Sequence, residues 1–314
     1  MRTLLRFLAL LPLAVLHGIA SAAGWLLWVR GNKRRATALR NLERCLPELD
    51  LQQRRRIAYA SIAHEMKTYA EAPLIWFGNR RRILGLTHRF NGIEMVDSLL
   101  AGGKGLILLT PHLGAFEACA MPFAARHPIT GLYKPQKGKL EAIVLEGRNR
   151  FGATMISTAG GGSREKLLPV LARNETAYFI PDQDPPEGRG VFAPFFKIAA
   201  HTPVLVQRLI QASGAPVIFF TGERLSRGRG FVGHFREAPP AIYDADMLVS
   251  TTAMNACVEA MIREYPEQYW WGHKRFRRRP EGEPAFYGEV HPEEVAVSAT
   301  GPVAAMTSVE SSRS

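Results

Sequence analysis

Between Phe7 and Val29 the chain carries 23 consecutive residues without a charge, and the only titratable group among them is His17. Coiled as a helix, such a run is long enough to cross the hydrocarbon core of a bilayer. Any fold for this chain must therefore bury the segment or place it in lipid. Arg2 and Arg6 precede it, and Ala20-Ser21-Ala22 resembles the small-residue site of a cleaved signal peptide. The apolar run nevertheless continues through Trp25-Leu26-Leu27-Trp28-Val29, where a mature domain would begin. The two tryptophans stand beside Arg30, Lys33, Arg34 and Arg35, like an interfacial belt with its basic flank. The segment over residues 1–31 is accordingly read as an uncleaved membrane anchor. Both flanks are basic, which leaves spanning and insertion into one leaflet open. The heavier basic load follows the segment and places the catalytic domain on the cytoplasmic face.

Past the anchor the pattern changes. The segments Lys33 to Leu46 and Leu51 to Trp76 carry apolar residues at helical spacing, with Ile57, Ile62, Met66 and Tyr69 on one stripe. Short apolar runs then predict strands at Gly105–Leu109, Ile129–Tyr133, Ala153–Ser157, Thr176–Pro181 and Pro216–Glu223. Helical segments alternate with them near Glu94–Leu100, Gly114–Arg126, Leu140–Arg150, Arg164–Arg173, Pro203–Ala212 and Asp246–Tyr265. Alternation of this kind implies an α/β domain with a mixed, partly parallel sheet flanked by helices. No internal repeat or second boundary interrupts it, so one domain is expected over residues 32–291. The stretch 292–314 is rich in Ala, Ser, Thr and Val and has no aromatic residue, and it reads as a disordered tail.

Forty Lys and Arg against 28 Asp and Glu give a net charge of +12. That field suits an anionic partner: nucleic acid, an acidic membrane surface or an acidic carrier protein. The cysteines Cys45, Cys119 and Cys257 are odd in number and far apart, which argues against a disulfide framework or a structural zinc site.

The most informative segment runs from Gly105 to Glu117, Gly-Leu-Ile-Leu-Leu-Thr-Pro-His-Leu-Gly-Ala-Phe-Glu. A buried strand ends in a Thr-Pro turn, His112 follows, and a Gly-Ala step opens a helix. His112 and Glu117 are five residues apart, which on one continuous helix would turn them about 140° from each other. With His112 in the loop and Glu117 in the first helical turns, the carboxylate can fold back onto the imidazole. The expected result is a dyad: Glu117 fixes the tautomer of His112, and the other ring nitrogen takes a proton from an attacking hydroxyl. The helix N-terminus supplies backbone N–H groups for a developing oxyanion. Ligands of open α/β sheets bind at the carboxyl ends of strands, where this segment lies.

These features resemble the late lipid A acyltransferases, the lauroyl- and myristoyltransferase group within the lysophospholipid acyltransferase superfamily. The resemblance extends from the anchor to about Pro280. It is carried by the His112–Glu117 segment and by four further blocks in order: Asn41 to Pro47; Gly147-Arg-Asn-Arg-Phe-Gly152; Asp182-Gln-Asp184 with Gly190 to Phe196 and Thr202; and Pro266 to Phe276 with Arg277 to Pro280. It implies that His112 is the general base and Glu117 its partner. It further implies that Arg150, with Arg148 as second choice, contacts an acidic group of substrate or donor or steadies the transition state, and that Asp182 and Asp184 shape the acceptor site. Ala115-Phe116 stands where the family often has Asn-Trp, which keeps an aromatic next to the glutamate. Lys134 of Tyr133-Lys-Pro135 replaces a more usual arginine at a phosphate contact and offers a point charge in place of a bidentate fork.

Competing readings attach to several of these residues. Asp182-x-Asp184 is also the spacing of a metal-binding pair, although acyl transfer of this kind requires no metal or cofactor. The basic run Lys274 to Arg279, including Arg275, suits phosphorylated lipid headgroups or an acidic carrier, with nucleic acid a distant third. Cys119 fits a packed apolar position better than a nucleophile. Gly160-Gly-Gly-Ser163 lacks the spacing of a nucleophile elbow, and Lys104 that of a phosphate-binding loop. The sequence thus points to an inner-membrane enzyme of a bacterium that transfers an acyl chain from acyl carrier protein to a hydroxyl of a lipid A precursor. Two alternatives are an acyltransferase using acyl-coenzyme A on another glycolipid or lysophospholipid, and a non-catalytic membrane-tethered protein that binds anionic ligands.

Overall fold

The computed structural model describes residues 2–135 and 138–288, so the tail expected at 292–314 lies outside the described residues. The long apolar run is two helices, α1 (Arg2–Leu8) and α2 (Leu13–Arg30), and not one. Pro12 breaks it, because proline offers no N–H to a preceding turn and clashes inside a helix. The carbonyls exposed by the break are taken up by Arg82, whose guanidinium donates to Ala9 (2.8 Å), Leu10 (3.2 Å) and Leu11. Next come α3 (Lys33–Cys45) and the 27-residue α4 (Leu51–Phe77). A reciprocal capping box between Asp50 and Gln53 starts α4 by satisfying N–H groups that the first turn leaves open. Helix α2 runs antiparallel along α4. His17 meets Glu71 (2.7 Å), the Cα of Gly24 faces Ala63 with no room for a side chain, and Trp28 packs edge-on against Tyr59.

After α5 (Arg80–Leu86) the α/β portion follows in the order β1 (Thr87–Asn91), α6 (Ile93–Ala101), β2 (Leu106–Leu109), α7 (Phe116–Ala124), β3 (Ile129–Tyr133), α8 (Lys139–Arg148), β4 (Ala153–Ser157), α9 (Ser163–Ala172) and β5 (Thr176–Phe179). A hairpin, β6 (Gly190–Phe195) and β7 (Ile198–Pro203), then leads to α10 (Leu205–Ser213), β8 (Val217–Arg224), β9 (Phe231–Glu237) and α11 (Met247–Glu264). Seven strands form one sheet in the order β1-β9-β8-β2-β5-β3-β4, parallel at every pairing except β8 with β9. The five strands expected from short apolar runs are all present; β1, β6, β7 and β9 were not foreseen. Strand β9 alternates Phe231, Gly233 and Phe235 with Val232, His234 and Arg236 after an Arg- and Gly-rich turn, and polar residues dilute its apolar signal. The β6–β7 hairpin carries Pro194, which a central strand does not tolerate but a two-stranded hairpin does.

Strand β2 is the centre of the construction. All four of its residues are buried, as expected of a parallel strand covered on both faces. Leu106 and Leu108 pack on the side of α7, with Ile218, Phe220, Phe123 and the α2 residues Leu13 and Leu16. Ile107 and Leu109 pack on the opposite side, with residues of α3, α9, α10 and α11 and with Trp271 and Phe276. Two apolar layers thus clamp the sheet and leave the carboxyl ends of β2, β5 and β8 to build the site.

Candidate active site

Strands β2 and β5 are parallel neighbours in register, Leu109 opposite Phe179, and the ladder continues one residue further through Thr110 N–H to the Phe179 carbonyl (3.0 Å). Three residues beyond each strand end stand His112 and Asp182. Equal overhang brings them together: Asp182 Oδ1 lies 2.9 Å from His112 Nδ1, and Asp182 Oδ2 accepts the His112 backbone N–H (3.1 Å). Burial works against ionising Asp182, but the neighbouring His112 and the two hydrogen bonds it donates hold the carboxyl below the usual carboxylate range. An ionised carboxylate can only accept, so Nδ1 carries the proton and Nε2 presents its lone pair. Nε2 faces the exposed amide of Gln183 (3.0 Å), which donates to it.

The ring of His112 is enclosed by aromatic groups. Trp270 lies 4.9 Å away, Phe116 5.3 Å away edge-on, and His273 stacks at 6.5 Å. Burial lowers the pKa of His273, with Asp182 opposing, so this second imidazole favours its neutral form. The loop is fixed from behind: Trp270 N–H donates to the His112 carbonyl (3.1 Å), Gly114 N–H to the Gln268 carbonyl (3.0 Å), and Ala115 N–H to the Gly222 carbonyl (2.6 Å). Gly114 has φ +63° and sits directly against the Gly222 carbonyl, so both its conformation and the contact require glycine. The N–H groups of Gly114 and Ala115, just before α7, are therefore engaged within the protein.

The expected pairing of Glu117 with His112 is corrected by the geometry. Glu117 lies in the first turn of α7, and its carboxylate takes a bidentate pair from Arg148 (2.9 and 2.9 Å) and a hydrogen bond from the Trp76 indole (3.0 Å). Burial opposes its ionisation, but Arg148 and Trp76 hold its pKa below the ordinary value. Phe116, one residue earlier, is the side chain of α7 that packs on His112. The two expected arginines also part ways. Arg148 stays near the site through Glu117 with its side chain 32% exposed, while Arg150 donates to the carbonyls of Ile75 and Gly78 (2.9 Å each) and closes the end of α4. Lys134 follows β3 at its carboxyl end and is exposed.

Asp182 and Asp184 face different partners, which separates the carboxylates of the proposed metal pair. Asp184 accepts from His201 Nδ1 (2.9 Å), Arg278 (2.9 Å) and Arg277 (3.3 Å). Arg275 is buried and donates to the His201 carbonyl and the Thr202 hydroxyl (2.6 Å each). Both residues thus tie the β6–β7 hairpin to the segment after α11. No cluster of three or more His, Cys, Asp and Glu suited to a metal occurs among the described residues. Cys119 is buried, and burial pushes its thiol up to about 12, the state of a packed side chain. Trp76, Gln183, Trp270 and His273 were not foreseen as neighbours of the site. Gln183 follows Asp182 on the same overhang beyond β5; Trp76 and the tryptophan and histidine after α11 arrive only through tertiary packing.

A His–Asp pair thus stands over the carboxyl ends of central parallel strands of an α/β fold, walled by aromatic side chains. Comparison with known proteins gives the family. The sequence profile described as "Bacterial lipid A biosynthesis acyltransferase" matches residues 2–278. The lipid A biosynthesis lauroyltransferase of Escherichia coli (strain K12) is 32% identical over 284 residues, covering 88% of this chain and 90% of that protein. The palmitoleoyltransferase of the same organism is 26% identical over 284 residues, with the same coverage, and a lipid A biosynthesis acyltransferase of Haemophilus influenzae (strain ATCC 51907 / DSM 11121 / KW20 / Rd) is 28% identical over 290 residues, 90% of this chain and 91% of that protein. The chain belongs to the bacterial lipid A biosynthesis acyltransferase family and is an acyltransferase.

Proposed function

We propose that this enzyme transfers a fatty acyl chain from an acyl carrier protein thioester to a hydroxyl of a lipid A precursor, with His112 as general base and Asp182 as the group that orients it. The observation that carries this reading is the 2.9 Å contact of Asp182 with His112 Nδ1, which leaves Nε2 as the basic atom on the open side. The acceptor hydroxyl displaces the Gln183 amide from Nε2 and gives up its proton there as its oxygen attacks the thioester carbonyl. The tetrahedral intermediate collapses by breaking the C–S bond, and the proton on Nε2 passes to the leaving thiolate. Asp182 stabilises the imidazolium that forms between the two steps. Glu117 serves at one remove: it anchors Arg148, whose partly exposed guanidinium faces phosphate groups of the acceptor or donor. The net charge of +12 suits an acidic carrier protein.

Helix α2 is long and apolar enough to cross a membrane by length and composition. Its inner face (Leu13, Leu16, His17, Ala20, Gly24) is buried, whereas Val15, Ile19, Trp25, Leu26 and Val29 are exposed, together with Leu4 and Phe7 of α1 and Leu10 of the turn after it. Because α2 lies along α4 for most of its length, the reading that fits is a helix resting in one leaflet of the inner membrane, with its outer face in lipid and the catalytic domain in the cytoplasm. Purified full-length enzyme incubated with lipid A precursor and with matched acyl carrier protein and coenzyme A thioesters, followed by mass spectrometry, tests donor and acceptor together. Transfer from the carrier thioester that vanishes in His112→Ala supports the proposal. Preference for the coenzyme A donor moves the enzyme to the alternative donor class, and wild-type turnover by folded His112→Ala refutes His112 as the base.

A further inference from the structure

A second polar array lies behind the catalytic loop and reaches into the apolar N-terminal helix. Arg224, the last residue of β8, is buried and donates to both oxygens of Glu71 (2.6 and 2.8 Å), to the Thr68 hydroxyl (3.0 Å) and to the carbonyl of Gly114 (3.1 Å). Its remaining nitrogen meets His64 Nδ1 (2.9 Å), which accepts from it; burial and the neighbouring Arg224 push that imidazole well toward its neutral form. Glu71 of α4 is 1% exposed and also accepts from His17 Nε2 of α2 (2.7 Å). Leaving one member of such a buried charged array without its partners is costly, because the low dielectric gives no substitute for them. His17 interrupts an otherwise apolar helix, and Gly114 is two residues from the base.

We infer that the chain His17–Glu71–Arg224–Gly114 makes the membrane-facing helix part of the catalytic unit, with His17 and Arg224 acting as positioning residues that hold the turn carrying His112. The inference rests on His112 being the base. In this arrangement His17 fixes the rotamer of Glu71. Glu71 fixes the guanidinium fork, and the fork holds the Gly114 carbonyl at the point where the loop turns into α7. Loosening the first link lets the loop drift, and displacement of a catalytic group by about 1 Å costs on the order of a hundredfold in rate.

The test uses the full-length enzyme in vesicles, with three variants: His17→Leu, which keeps the helix apolar, His17→Gln, which restores one donor to Glu71, and Arg224→Lys, which keeps the charge without the fork. For His17→Leu and Arg224→Lys, kcat should fall about ten- to a hundredfold with both KM values nearly unchanged. Amide exchange of residues 113–117 should accelerate while α4 and the sheet stay protected. His17→Gln should return both readouts most of the way to wild type. The inference is overturned if His17→Leu and Arg224→Lys keep wild-type kcat and loop protection, if protection is lost evenly across the whole fold, or if His17→Gln is as impaired as His17→Leu. Failure of the wild type to acylate the lipid A precursor would strike the proposed function instead, and the exchange measurement would still decide the coupling of α2 to the loop.

Discussion

His112 and Asp182 each stand three residues past the last paired residues of two adjacent parallel strands, and they meet through a 2.9 Å contact at Nδ1. The pair therefore rests on the register of the central sheet, the least deformable part of the fold. A dyad built within one loop and helix would be held only by that loop. This explains why the imidazole has a single tautomer available although its loop is partly open to solvent.

Asp182→Asn tests the pair most directly. An amide in place of the carboxylate can donate to Nδ1 and shift the ring proton to Nε2, removing the base while preserving shape. By analogy with other orienting aspartates, kcat should fall by about 10²–10⁴-fold with little change in KM. Steady-state kinetics on the folded variant checks this, and a loss below tenfold would return the orienting role to another group.

Glu117 and Arg148 make the contrasting case. Arg148→Met leaves a carboxylate that is 13% exposed facing the Trp76 indole alone. Breaking a fully buried pair costs about 3–5 kcal/mol, and the partial exposure of Arg148 reduces this to roughly 2–4 kcal/mol. Denaturant unfolding should show that loss for Arg148→Met, and the double variant Glu117→Gln/Arg148→Met should regain part of it. If the two single changes add without coupling, the ion pair contributes nothing specific.

The same carboxylates set the response to acid. Burial opposes ionisation of Glu71, Glu117 and Asp182, yet their cationic or imidazole partners hold all three below the ordinary carboxylate value. A depressed folded pKa gives stability that is complete above the unfolded carboxylate range, near about 4, and that drains away as pH falls through the folded values. Unfolding free energy measured from pH 7 downward should therefore stay level to about pH 5 and then drop steeply. The slope of that drop should be shallower in Glu117→Gln by the share of one proton. An unchanged slope would mean that Glu117 titrates alike in the folded and unfolded chains.

How much of this was legible in the sequence follows from which interactions are local. Buried parallel strands such as Leu106–Leu109 advertise themselves as short apolar runs, and the α/β class and the strand–loop–helix setting of His112 follow from them. The partner of His112 does not. Five residues of separation along the chain made Glu117 the near candidate, whereas the true neighbour lies 70 residues away and is set by strand register. Arg148 and Arg150 look equivalent in sequence, and only the end of α4, which captures Arg150, separates them. Pro12 was a visible helix breaker inside the apolar run, outweighed by the length of that run.

The outer face of α2 allows a final test. Ile19 and Leu26 are 55% and 39% exposed, and the exposed residues between them, Ala22, Ala23 and Trp25, carry no charge. Withdrawing a side chain of this size from water stabilises by about 1.5–3 kcal/mol when burial is complete. With about half of each side chain exposed, lysine at both positions should thus cost about 1.5–3 kcal/mol of lipid partitioning, on the order of ten- to a hundredfold in the membrane-bound fraction. The inner face, including His17 and Gly24, is untouched, so thermal stability in detergent should change little. Sedimentation of Ile19→Lys/Leu26→Lys with zwitterionic vesicles should leave more of the enzyme in the supernatant than wild type, while turnover on detergent-dispersed substrate persists. Retention on vesicles equal to wild type would place the lipid contact elsewhere on the molecule, with Leu4 and Phe7 of α1 and Leu10 of the turn after it as the next surface to change.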